Sequence, residues 1–181
     1  MSISNQPKNQ NLLLETNFKF QLNRISNVSY FCQSVILPGL RINNIKYDTP
    51  LSPIAIAGNV AFYNPLKLTF LVDEDLLNWL ELRKWMLGIG KPNSHEQAKL
   101  FNSYKEGLSD ALLEVTTNAK NPYMTVKFQD CYPISVSDIQ FNSATQFTNN
   151  ILCQVDFAYT TYLVEVHNKV LPVVSPNNMK Q

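Results

Sequence analysis

Two histidines, three cysteines and one run of carboxylates are the residues of this chain with chemistry to offer. His95 stands at a helix start and His167 in the C-terminal stretch. Neither has a partner at a spacing that implies a catalytic triad or a histidine metal site, so both read as surface residues. Asp73, Glu74 and Asp75 could gather a cation, but an acidic helix N-terminus explains them with no ion. Cys32, Cys131 and Cys153 cannot all pair and show no CxxC spacing, which reads as reduced thiols. Gly88-Ile89-Gly90 follows a helix rather than a strand and so is no phosphate loop. Lys120 and Lys127, near Tyr123, Phe128 and Tyr132, could form a basic aromatic patch; alternation sends those rings into a core instead. No cofactor, metal or catalytic residue is expected.

The elements that would hold these side chains are mostly strands. The 181 residues suit one domain, and 45% hydrophobic residues are enough for a core without staples. A formal net charge of +1 argues against nucleic-acid binding by bulk charge. No window reaches the ~18 consecutive apolar residues of a membrane helix. The polar first ten residues carry no signal-peptide pattern. Neither a membrane protein nor an exported enzyme is expected.

Phe18, Phe20 and Leu22 alternate with Asn17, Lys19, Gln21 and Asn23, the pattern of a half-buried strand. Residues 30–37 predict a second strand stopped by Pro38-Gly39, and residues 41–47 a third. Residues 48–64 carry Pro50, Pro53 and Gly58 and read as a long loop that is unusually apolar. A clear strand follows at 66–72. At Asp73 the period changes to that of a helix over about 74–87, with Asp73 as N-cap and Gly88 and Gly90 at its end. Ser94 and Gln97 form a capping box for a short helix over about 95–104. Further strands are predicted at 112–117, 124–132 and 136–141, and a single long one at 151–163.

The sum is a mainly β fold, an antiparallel sandwich or barrel with one flanking helix. It occupies residues 13–166, between a flexible N-terminal arm over 1–12 and a C-terminal arm over 167–181. The arms, the apolar loop and the long strands point to self-assembly rather than catalysis.

Three stretches carry a resemblance. One is Phe31-Cys-Gln-Ser-Val-Ile-Leu-Pro-Gly39. The second is residues 65–85, a strand running through Val72-Asp-Glu-Asp75 into a helix that holds Trp79 and Trp85. The third is residues 126–141, containing Cys131-Tyr-Pro-Ile-Ser-Val-Ser137, resumed by Cys153-Gln-Val-Asp-Phe-Ala-Tyr159. Together they resemble the tail-tube family of contractile-tailed bacteriophages, over about residues 16–165. The family includes the tube protein and the longer baseplate protein that initiates the tube, which the third stretch is especially similar to.

The resemblance implies a structural virion protein and no enzyme. It implies hexameric rings whose strands join into one inner barrel, stacked as a conduit for DNA ejection. The subunit would be assembled in the host cytoplasm and carried in the virion tail. Sheath, tape-measure and baseplate proteins would be its partners, with no membrane contact and no specific grip on the passing DNA. Leu51, Ile54, Ile56, Val60 and Phe62 of the apolar loop would make the inter-subunit contact. Asn17, Lys19, Gln21, Gln154 and Asp156 would face the lumen. Two other readings stay open: the tube of a contractile injection or secretion system, and a β-sandwich binding module.

Overall fold

The computed structural model describes residues 11–90, 104–144, 149–166 and 169–170. The expected short helix at 95–104 and most of both expected arms lie outside them. The architecture is mainly β, with antiparallel sheets.

The chain enters through β1 (Phe18–Leu22), whose Phe20 and Leu22 are buried while Lys19 and Gln21 are exposed. A short helix, α1 (Ser26–Tyr30), follows and sends Val28 into the core. The expected strand at 30–37 therefore starts late, as β2 (Cys32–Ile36). Ser29 explains the helix that alternation hid. Its hydroxyl accepts from the Leu22 amide at 2.7 Å and donates to the Ile25 carbonyl at 3.3 Å, folding the chain back on β1.

Next come β3 (Leu40–Tyr47) and β4 (Ile54–Tyr63), paired only with each other. The chain then returns to the body as β5 (Leu66–Leu71) and α2 (Leu77–Ile89). α2 begins later than 74 because Leu76 takes a left-handed backbone, φ 53°, and breaks the first turn. Asp73 still serves the helix start, since its carboxylate accepts from the Asn78 amide at 3.3 Å. A turn of 3-10 helix at Tyr104–Gly107 leads into β6 (Ser109–Thr116) and β7 (Pro122–Val136).

β7 is 15 residues long and runs straight through Pro133, where a stop is expected. The pairing with the next strand shifts between Pro133 and Ser135, so the missing proline donor falls at an irregularity in the ladder. The piece expected to be extended at 136–141 is strand only at its first residue. The single strand expected over 151–163 is two strands, β8 (Leu152–Ala158) and β9 (Thr161–Val166). The cause is a shared corner. Asp130 in β7 has φ 55°, and the Thr160 amide between β8 and β9 donates to the Gln129 carbonyl at 3.0 Å. Both segments change sheet there, as bulged corners allow. The two-residue β10 (Lys169–Val170) pairs with β9.

Two sheets result. One runs β1-β6-β7-β9; the other runs β2-β5-β8 and ends on the last residues of β7. Their inner faces meet in one core, with Phe20, Leu113, Val126 and Phe128 on one side and Leu68, Phe70, Val155 and Phe157 on the other. α2 covers a flank through Leu82 and Trp85. Trp85 stacks near Phe157 at 5.9 Å and donates its indole N–H to the Gly107 carbonyl at 2.7 Å. Asn78 is fully buried and satisfied, its side-chain amide donating to the Leu71 carbonyl at 2.8 Å.

Candidate functional site: exposed assembly surfaces

The segment read as an apolar loop over 48–64 is a turn and the strand β4, which with the expected strand β3 makes a projecting β-hairpin. Residues that face one another across β3 and β4 share a face, and those pairs include Tyr47 with Ile54, Ile45 with Ile56 and Arg41 with Phe62. Alternation adds Val60 to that face. Ile54, Ile56, Val60 and Phe62 are therefore one apolar stripe, each 42–54% exposed. Leu51 lies apart from them in the turn and is 98% exposed. The opposite face sets the small side chains Ala55, Ala57 and Ala61 beside Lys46, Asn44 and Ile42, with Leu40 and Tyr63 at its root.

Gly58 is needed where the register shifts. A Cβ there would sit 2.6 Å from the Asn43 carbonyl oxygen. Among the described residues, the hairpin's ties to the body lie at its root. The Asn64 amide donates to the Gly39 carbonyl at 3.2 Å, and Tyr63 packs edge-on against Tyr162 at 5.5 Å. Because β2 and β5 pair with each other, β3 and β4 prolong that same pair beyond the Pro38-Gly39 and Asn64-Pro65 joints.

The expected lumen residues divide. Asn17 does not belong with them, because it is 2% exposed and structural. Its amide donates to Asn118 at 2.7 Å, and its side-chain oxygen accepts from the Lys120 ammonium at 2.8 Å. Lys120 is thereby committed to the fold rather than to a ligand. Lys19 and Gln21 are exposed on the outer face of the β1 sheet. Gln154 and Asp156 lie on the outer face of the other sheet, opposite Thr69 and Lys67. Lys67 and Asp156 approach to 4.0 Å, while Lys127 pairs with Glu165 at 2.8 Å on the first sheet. The structure thus brings the five residues to no common face.

Among the described residues, no group of three His, Cys, Asp or Glu side chains could hold a metal ion. Cys131 is buried, and burial pushes its thiol up to about 12; Cys32 is pushed to about 12 for the same reason. Both are neutral thiols at physiological pH, which suits packing and not nucleophilic attack. Burial, followed by the neighbouring Tyr162 and Tyr63, also raises Tyr159, whose hydroxyl donates to the Asn64 carbonyl at 2.8 Å. That bond is a second hydrogen bond at the hairpin root, and alternation alone gives no signal for it.

A sandwich with a flanking helix, a projecting apolar hairpin and no chemical centre among its described residues is the frame for comparison with known proteins. The family model described as phage tail tube protein matches residues 4–165. The chain belongs to the phage tail tube protein family. The tail tube terminator protein of Enterobacteria phage T4 is 27% identical over 168 residues, spanning 88% of this chain and 92% of that protein. In fold, the chain is similar to the tube terminating cap of the anti-feeding prophage, with a TM-score of 0.57 at 12% identity, over 92% of this chain and 99% of that one. It is equally similar to the sheath/tube terminator of an extracellular contractile injection system (TM-score 0.57, 11% identity, 87% and 99% of the two chains).

Proposed function

We propose that this tail tube family member is the terminating subunit of a contractile phage tail tube. Copies assemble as a hexameric ring that ends the tube and keeps its channel open for DNA ejection. The observation that carries the ring reading is the β3–β4 hairpin. A ten-residue strand with exposed Ile54, Ile56, Val60 and Phe62 buries little in its own protomer. An isolated two-stranded hairpin is only marginally stable in water, so this stripe calls for a neighbouring subunit. The terminating role is supported by the likeness to a tube terminator along nearly that protein's whole length.

The lumen is assigned to the outer face of the β2-β5-β8 sheet, because the hairpin continues that sheet toward the neighbour. Gln154 and Asp156 then line the channel beside Ser34 and Thr69. Lys67 is held close to Asp156, which suits a wall that must not grip phosphates. Lys19 and Gln21 face outward on the other sheet. The tail sheath and neighbouring tube rings are the partners, with tape-measure and baseplate proteins met during assembly, and the virion tail is the location. Counting copies per purified virion by quantitative mass spectrometry tests the role. One hexamer's worth is expected; many hexamers' worth would make the protein the tube subunit instead.

A further inference from the structure

A groove of about 610 Å³ runs between α2 and the residues that follow β7. Trp79, Met86, Leu87 and Phe141 form its apolar walls, and Arg83 and Asp138 place one charge of each sign along it. Phe141 is 72% exposed, and the Arg83 guanidinium lies over the Trp79 ring at 6.0 Å. Leu76, held at φ 53°, also lines the groove. A site of this size takes a few side chains, since compact ligand sites span ~300–1,000 Å³.

The same chain carries a shape that suits it. Leu51 is the most exposed large apolar residue described, at 98%, and leads the hairpin tip between Pro50 and Pro53. The tip is already ordered in the single protomer. Thr49 donates its hydroxyl to the Ser52 carbonyl, and the Ser52 amide donates back to that hydroxyl oxygen at 3.3 Å. The prolines restrict it further, so little freedom is lost on docking. Asp48 and Lys46, both exposed, stand just behind the tip and carry the charges opposite to Arg83 and Asp138.

We propose that the hairpin tip, with Leu51 foremost, seats in the α2 groove of a second copy of this chain. Asp48 then meets Arg83, and Lys46 meets Asp138. Knob and groove are different patches of one surface, so the contact is head-to-tail and closes into a ring when the rotation allows. This rests on the ring reading above and supplies the receptor that it lacks.

The test is a chain carrying both Leu51→Cys and Leu87→Cys, with Cys32→Ser to remove the partly exposed native thiol. Disulfides form only where Cα atoms come within about 7 Å. Mild oxidation should give a ladder of linked oligomers on a non-reducing gel, while each chain with one introduced cysteine gives at most dimers, since the native Cys131 and Cys153 are buried. Asp48→Arg or Arg83→Asp, both on exposed positions, should each lower the linked yield several-fold, and the pair together should recover it. Far-UV circular dichroism of all variants should match the parent. Rings seen by light scattering without a ladder would overturn this docking and leave the ring reading standing. Neither rings nor a ladder at any concentration would overturn both.

Discussion

Phe70, Phe128 and Phe157 are wholly buried where the two sheets meet, and they anchor the fold residue by residue. Phe157→Ala or Phe70→Ala should cost about 3–5 kcal/mol, read from chemical denaturation. A near-neutral effect would mean that the inner faces are misassigned. Asn17 shows what alternation cannot see. Its position next to Phe18 marks it as outward, yet Asn118 and Lys120, a hundred residues on, draw it inside. The thiols give a pH prediction. Cys131 is raised from 9.0 to about 12 by burial. Between those values the unfolded chain binds fewer protons than the folded one, so stability falls as pH rises and is unaffected below. Thermal melts should be flat from pH 6 to 8 for this group and decline above about pH 9, with a shallower decline in Cys131→Ala.

At the scale of elements, the strands with one face in the core were the legible ones. β1, β5 and β8 show strict alternation because Phe20, Leu68, Phe70, Val155 and Phe157 must all turn inward. In the hairpin β3 was legible as strand, and β4 was not. Pro50, Pro53 and Gly58 are loop residues by composition, and neither face of β4 has a core to impose alternation. Its apolar character was visible all the same, and Leu51, Ile54, Ile56, Val60 and Phe62 are exposed in the protomer. The corner at Asp130 and Thr160 was hidden because a strand that changes sheets keeps its period. Two variants separate the hairpin from the body. Gly58→Ala would clash with the Asn43 carbonyl and should abolish assembly while shifting the melting temperature of the body little, since among the described residues the hairpin's ties to the body lie at its root. Ile54→Asp with Ile56→Asp should leave a folded monomer that forms no ring, checked by circular dichroism and light scattering. A doubly charged variant that still assembles would remove the stripe from the interface.

For the whole molecule, the family was legible because its markers sit on the elements that build the sandwich: β5 into α2, β7, and β8. The position along the tail was not, since the family's markers run through the whole sandwich and do not separate its members. A formal charge of +1, with Asp156 4.0 Å from Lys67, suits the proposed channel wall, which must let DNA slide. The most direct measurement is negative-stain electron microscopy of the purified protein with purified tail tubes, with mass by light scattering alongside. The account predicts hexameric rings with an open channel that cap tube ends and do not grow into tubes themselves. Long tubes from the protein alone would contradict the terminating role, and a monomer that ignores tube ends at every concentration would contradict the ring.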